Sequence, residues 1–121
     1  MNENNINRLT AERVMGWTLD YMHDDLRPKF PMEVWRDSKW NWLMESYLWN
    51  PADDLNKAWK VAKAASAKTG LLLNIIEMEN GKWFAHFAGS EFDAAHMNPA
   101  TAICLAALRA VGVPEEEVNR E

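Results

Sequence analysis

Imidazole and carboxylate groups come closest together in the sequence near the end of a predicted hairpin. His86, Glu91, Asp93 and His96 lie within eleven residues, and such groups can jointly ligate a divalent ion. Their spacing contains no compact His-x-x-x-His pair, which favours ordinary polar residues at a strand end and in the following loop. The run His23-Asp24-Asp25 could supply a general acid or base, but adjacent carboxylates in a polar turn are usually solvated.

Nucleophilic and phosphate-binding chemistry has little support in the sequence. Cys104 is the only cysteine, and it lies in an apolar run that favours a packed thiol over a reactive one. The five glycines are isolated from one another, so the chain has no glycine-rich phosphate loop. We therefore predict no catalytic residue, no metal site, no cofactor and no enzymatic activity.

The charge and composition of the chain limit its partners. A net charge of −5 over 121 residues argues against general nucleic-acid binding, which depends on clustered cations. One cysteine cannot form an intramolecular disulfide, and the longest uncharged run is too short to span a bilayer. These features predict an intracellular, soluble protein of one domain, covering residues 1–114, without a membrane role.

Aromatic rings are concentrated in one quarter of the chain. Five of the seven tryptophans fall between Trp17 and Trp49, together with two tyrosines and Phe30. Trp35, Trp40 and Trp42 stand among Arg36 and Lys39, and both local packing and a binding surface remain open for these three rings. Another candidate surface consists of the stripe Lys57, Lys60 and Lys63, for which a solvated helix face is the simpler interpretation.

Four helical or irregular segments are expected to position these groups. A first helix covers residues 4–15, and residues 17–50 are irregular with a short helical piece over 33–47, because Pro28 and Pro31 break longer helices. A second helix covers 52–68, with Pro51 in its first turn; its predicted buried face is Leu55, Ala58, Trp59, Ala62 and Ala65. A last helix runs from Asn98-Pro99 to Gly112 as the central buried helix, and the acidic tail 115–121 is expected to fray.

A hairpin is expected between the second and last helices. Residues 71–78 and 82–88 are rich in aliphatic and aromatic side chains, and the Asn80-Gly81 pair between them favours a tight turn. Both faces of the second strand carry apolar groups, which indicates at least partial coverage on two sides.

The segments placed above resemble the phage ABA-sandwich domain family. The resemblance covers nearly the whole chain and rests on these motifs: Met15-Gly16-Trp17, Trp49-Asn50-Pro51, Ala58-Trp59-Lys60-Val61, Trp83 with Ala85, and the run 102–108. It implies an α+β fold in which an antiparallel sheet lies between helices, in a small phage or prophage protein. No activity attaches to the family as a whole. The three family tryptophans, Trp17, Trp49 and Trp59, are expected in the core, whereas residues 20–47 match no family pattern, so functions specific to this chain are expected within the variable segment 18–50.

Two function hypotheses follow from different classes. The favoured one is a non-enzymatic phage accessory protein, acting in the cytoplasm of a bacterial host during infection or lysogeny, that binds and inhibits a host defence or replication protein. The alternative is a protein that sequesters a nucleotide immune signal, either in one chain or across a homo-oligomer interface. It requires a deep pocket with aromatic walls and convergent cations. A virion component is a third possibility. The candidate binding residues are Trp35, Arg36, Lys39, Trp40, Trp42, Lys57, Lys60 and Lys63.

Overall fold

The architecture is α+β, as the sequence predicts, with helices and two antiparallel sheets. The computed structural model describes residues 3–24, 27–89 and 91–120, with side chains at all of these positions other than 23, 24 and 27–30. The helices are α1 (Glu3–Leu9), α2 (Leu55–Thr69), α3 (Pro99–Ala110) and α4 (Glu115–Val118); α1 continues into a π-helical turn over Thr10–Val14. The first sheet contains β1 (Thr18–Asp24), β2 (Arg27–Arg36) and β3 (Trp42–Glu45). The second sheet contains β4 (Leu73–Glu77), β5 (Trp83–Phe87) and β6 (Asp93–His96). The middle strands in space are β2 in the first sheet and β5 in the second.

Helix α3 is the central buried helix, as predicted. The side chain of Asn98 accepts a hydrogen bond from the Ala100 backbone N–H, and Pro99 occupies the first turn. The helix packs against α2 on one side and against β5 and β6 on the other. Its buried residues are mostly small, which permits this close approach on two sides; they include Ala102, Ala106 and Ala107.

Helix α2 begins three residues later than predicted. Asp54 caps it by accepting from the Lys57 backbone N–H, so Pro51 lies in a buried turn before the helix and not in its first turn. The buried face consists of Ala58, Val61, Ala62 and Ala65. The prediction that Leu55 and Trp59 belong to this face is wrong: they are 44% and 39% exposed, because they lie in the row beside the alanines that approach α3.

The predicted hairpin is confirmed as β4 and β5, which pair from Leu73↔Phe87 to Glu77↔Trp83. Ala85 and Phe87 are buried on the face of the sheet that packs on α3, whereas Phe84 and His86 on the other face are half-buried. The third strand, β6, falls where the sequence suggested a polar loop. It is only four residues long and contains Asp93 and His96 at its ends, so its alternation was too short to recognise.

The largest difference from the prediction concerns residues 17–50. In place of irregular chain with a helical piece over 33–47, these residues form the first sheet, followed by a single 3-10 turn at Ser46–Leu48. Pro28 and Pro31 lie within β2, yet β3 pairs only with residues 34–36. Among the residues that the structure describes, this part of the strand has no neighbour on the β3 side, where a missing N–H is tolerated.

The acidic end of the chain is also more ordered than predicted. Residues 115–118 form α4, and Val118 is 5% exposed. The buried amide of Asn5 donates to the backbone oxygens of Glu117 and Val118 at 2.8 and 2.7 Å, which joins the two ends of the chain. The prediction that the acidic tail frays is therefore wrong for residues 115–118. Within the described residues, no helix has the length and apolar character that a bilayer span requires.

Replacing Asn5 tests whether this contact stabilises the fold. We expect Asn5→Ala to lower the free energy of unfolding by about 1–2 kcal/mol, because a buried and a partly buried hydrogen bond to backbone carbonyl groups are lost. Urea denaturation measures the change. Asn56→Ala is the matched control, since Asn56 is an exposed helical asparagine on α2 and reports the helix propensity of alanine alone. Equal changes in the two variants would contradict the proposed role of Asn5.

Candidate functional site

A carboxylate organises the loop between β2 and β3. One oxygen of Asp37 accepts from the backbone N–H groups of Lys39 and Asn41 at 3.0 and 2.9 Å, and the other accepts from the Asn41 side-chain amide at 3.1 Å. The backbone N–H of Trp40 donates to the backbone carbonyl oxygen of Asp37 at 3.0 Å. These bonds close a tight loop, which we call the tryptophan hairpin (residues 36–42). They lower the pKa of the Asp37 carboxyl, mainly through the bond from the Asn41 backbone.

Trp40 adopts an unfavourable backbone conformation in this loop. Its φ of 68° lies in the left-handed region, which no other described residue except glycine adopts. Such a conformation costs a residue with a Cβ roughly 1–2 kcal/mol. The side chain is 55% exposed, so about half of the indole remains open to a partner while the backbone carries this strain. A strained, exposed tryptophan is the kind of backbone outlier from which a functional role is inferred.

Arg36 is fixed beside this ring by three contacts. Its Nε donates to the Asp20 carboxylate at 2.8 Å, its Nη1 donates to the Trp40 carbonyl oxygen at 3.1 Å, and its guanidinium carbon lies 5.4 Å from the Trp40 ring centroid. The bond from Arg36 lowers the pKa of the Asp20 carboxyl. Trp42 is the ladder partner of Arg36 and is 50% exposed. The hairpin therefore presents two half-exposed indoles with an immobilised guanidinium between β1 and the loop.

The remaining predicted ring, Trp35, does not belong to this surface. Successive residues of β2 point to opposite faces, and Trp35 turns away from Arg36 into the core, where it is 3% exposed. Of the two alternatives that the sequence left open for this ring, the structure therefore favours local packing over a place on the exposed surface. Lys39 is exposed at the loop tip.

The family tryptophans divide between core and surface. Trp49 is 2% exposed and Trp17 is half-buried against it, in an edge-to-face pair with centroids 4.6 Å apart. The indole N–H of Trp49 donates to Thr10 at 3.3 Å. The prediction of a core position is thus confirmed for Trp17 and Trp49, but it is wrong for Trp59, which is 39% exposed on α2. The side chain of Phe30, a further ring of the cluster, lies outside the described residues.

The predicted lysine stripe is not joined to the exposed rings. Lys57 is engaged elsewhere: its ammonium donates to the Asn50 amide oxygen at 2.9 Å and lies 3.6 Å from the Asp54 carboxylate. Lys60 and Lys63 are exposed on α2, which packs mainly on α3. Among the described side chains, the single cation–ring contact is that of Arg36 with Trp40, so the lysines and the tryptophan hairpin do not form one site.

A groove lies behind the hairpin, between α1, the first sheet and the segment before α2. Its volume is about 560 Å³, and Leu19, Trp35 and Trp49 contribute to its walls. Sequence reasoning missed it, because residues 3–8 and 46–53 are distant in the sequence and meet only in the fold, where the Ala52 backbone N–H donates to the Asn7 side chain. Neither segment carries a sequence pattern that would mark it as part of a pocket.

The charges around the groove are mainly negative. Glu3, Glu33 and Asp53 line it, with Arg8 as the only cation among its lining residues. The Arg8 guanidinium donates to Asn5 at 2.8 Å and lies 3.8 Å from Glu12, so part of its charge is already matched. A groove of this charge is poorly suited to an anionic nucleotide.

The other residues that could carry chemistry do not come together in one site. Within the described residues, no three groups from His, Cys, Asp and Glu are arranged to hold a metal ion. His96 accepts from the Asn98 backbone N–H at 3.0 Å, and the Asp93 carboxylate lies 3.6 Å from Arg109. Cys104 is buried, and burial raises the pKa of its thiol far above the ordinary value. The side chains of His23-Asp24-Asp25 lie outside the described residues.

Two residues of the site were absent from the sequence prediction. Asp37 and Asp20 hold the loop and Arg36, respectively. Asp37 is recognisable in retrospect, because an aspartate side chain often accepts from the backbone N–H two residues later, as Asp37 does from Lys39. Asp20 carries no local signal, since its contact with Arg36 depends on the pairing of β1 with β2.

Comparisons with known proteins agree with this fold. The model of the phage ABA sandwich domain family matches residues 8–108. A crystal structure of a phage protein from Bacillus cereus ATCC 14579 superposes with a TM-score of 0.56 at 19% sequence identity, covering 92% of this chain and 88% of that one. At this identity the likeness shows the fold alone. No curated protein matches the chain.

The lowered pKa of Asp37 makes the stability of the hairpin depend on pH. Because the folded-state pKa lies below the ordinary value of 3.8, the ionised carboxylate stabilises the fold above that pH, and the contribution disappears as the pH falls through the folded-state pKa. We expect the difference in unfolding free energy between the wild type and Asp37→Asn to be largest at neutral pH and to shrink in acid. Urea denaturation over a pH series measures it. Glu116→Gln, at an exposed carboxylate, is the control; a difference for Asp37→Asn that does not vary with pH would contradict this assignment.

Proposed function

Because the chain belongs to the phage ABA sandwich domain family, we propose that it is a phage-encoded accessory protein that binds a host protein through the tryptophan hairpin and inhibits it. The proposal assigns no chemistry to the chain. It places the protein in the bacterial cytoplasm during infection or lysogeny, and its partner among the components of host defence or replication.

One observation supports this proposal above all: Trp40 is held in a strained conformation with its ring half-exposed beside an immobilised arginine. Tryptophan and arginine are enriched among the few residues that dominate protein interfaces. The contacts of Arg36 with Asp20 and Trp40 restrict its side chain before any partner binds. Less conformational entropy is then lost on association, so the same contacts yield a higher affinity.

The two exposed rings and the net charge of the whole chain indicate the chemistry of the partner. Trp40 and Trp42 each require a pocket or apolar patch that covers an indole face. The chain has a net charge of −5, so a partner with a basic rim around that patch would associate faster and more selectively. We therefore expect a host protein with a cationic surface around an apolar cleft.

The nucleotide alternative receives less support. It requires cations that converge on an aromatic pocket. The groove supplies aromatic walls from Trp35 and Trp49, but carboxylates predominate at its edge and Lys60 and Lys63 are not among its lining residues. The exposed rings of the hairpin do not line this groove, which suits a protein partner better than a small anion.

Capture of partners from host lysate tests the proposal. The tagged full chain is expected to retain a specific host protein, and the double variant Trp40→Ala/Trp42→Ala is expected to lose it, with a fall in affinity of 100-fold or more, roughly what removal of one hot-spot residue produces. The affinity for the purified partner is then measured by calorimetry.

Trp59→Ala is the matched control, because Trp59 is another partly exposed tryptophan but lies on α2. It should retain the partner. If the hairpin variant binds every specific partner as tightly as the wild type does, the proposed interface is wrong. If the same capture from a lysate of infected cells retains only virion components, the chain is an assembly factor and the proposed inhibition of a host protein is wrong.

A further inference from the structure

One edge of the second sheet is left open by the fold. Strand β4 is an outer strand, since the order of this sheet is β4-β5-β6. Ala88 donates to the Leu72 carbonyl oxygen and Met78 donates to the Lys82 carbonyl oxygen. Because the direction of the backbone groups alternates along a strand, the even positions 72–78 bond to β5 and the odd positions face outward.

The outward-facing residues are Leu73, Ile75 and Glu77. Their N–H and C=O groups on this edge have no hydrogen-bond partner among the residues that the structure describes. The opposite edge of the same sheet differs, because the Asp93 carbonyl oxygen of β6 accepts from Arg109. The sheet is thus covered by a side chain on the β6 side and open on the β4 side.

Natural sheets usually protect such an edge with lysine, proline or a bulge. Residues 71–76 contain no charge and no proline, and β4 pairs with β5 in an unbroken register. Leu72, Ile76 and Met78 are 73%, 57% and 40% exposed on the outer face beside this edge. An open, apolar edge without a bulge is a site for pairing with another strand.

We propose that β4 pairs antiparallel with β4 of a second copy of this chain, forming a continuous six-stranded sheet across a two-fold axis at Ile75. In this register Ile75 faces Ile75 of the second copy, and Leu73 faces its Glu77. All three facing pairs are formed by outward-directed residues, so each pair exchanges two bonds and the interface gains roughly six backbone hydrogen bonds. The edge is therefore complementary to itself.

The charges and apolar groups fit the same register. The two Glu77 carboxylates lie at opposite ends of the paired strands, about 13 Å apart along the strand, which exceeds the screening length of about 8 Å at physiological ionic strength. Leu72 of one copy is brought opposite Met78 of the other on the outer face. The paired strands bury roughly 1,000 Å² in total, near the lower limit of specific interfaces, so we expect monomer and dimer to be populated together.

Sedimentation equilibrium of the full chain tests this pairing. The wild type is expected to show a concentration-dependent monomer–dimer equilibrium, and Ile75→Pro is expected to be monomeric over the same range. Proline at this position removes an N–H that faces the open edge and leaves the bonds between β4 and β5 in place. Circular dichroism verifies that the variant is folded. Trp40→Ala/Trp42→Ala is the control and should dimerise like the wild type, which separates this proposal from the host-partner interface.

Cysteine pairing gives a second test that does not depend on the folding of the proline variant. Positions 74 and 76 face each other across the proposed axis, so Asn74→Cys/Ile76→Cys is expected to form disulfide-linked dimers under mild oxidation. Asn74→Cys/Met78→Cys places no two thiols opposite each other and should not. The buried Cys104 does not compete. A wild type that is monomeric throughout, a folded Ile75→Pro that remains dimeric, or equal crosslinking of the two cysteine variants would overturn the proposal.

Discussion

The close packing of α3 between α2 and the second sheet is the constraint on which the rest of the structure depends. Ala102, Ala106 and Ala107 are fully buried, and their small side chains allow a helix and a sheet to approach the same helix closely. Helix α2 packs against α3 through its own row of alanines, and this arrangement leaves Leu55 and Trp59 at the surface. The core is thus completed mainly by α3, α2 and β5, with Phe87 as its largest fully buried side chain.

A scaffold completed in this way leaves the first sheet free to carry other features. That sheet contributes Trp35 and Leu19 to the core and the groove from one face. Its loop holds Trp40 and Trp42 outward, where about half of each side chain stays exposed. The strain at Trp40 and the contacts of Arg36 are understandable if the loop is shaped for a partner, because neither is required by the packing of α3.

The sequence predicted the elements whose signals are local. Asn98-Pro99 marked the start of α3, and Asn80-Gly81 marked the β4–β5 turn. It failed where the structure depends on distant pairing: Pro28 and Pro31 suggested irregular chain, yet the short β3 leaves their part of β2 without a neighbour on that side. For the candidate site, the cluster of Trp40, Trp42 and Arg36 was anticipated. The burial of Trp35 was not, because it depends on which face of an unrecognised strand meets the core.

The central claim is that the Trp40 ring serves contact with a partner and not the fold. The unfolding free energy of Trp40→Gly, measured by urea denaturation, tests it most directly, since glycine relieves the left-handed strain and removes the ring together. The account predicts a variant within about 2 kcal/mol of the wild type, because relief of the strain offsets part of what the half-exposed ring and its contact with Arg36 contribute. A loss of about 3 kcal/mol or more, as for removal of a core aromatic ring, would show that Trp40 holds the fold together and would contradict the claim.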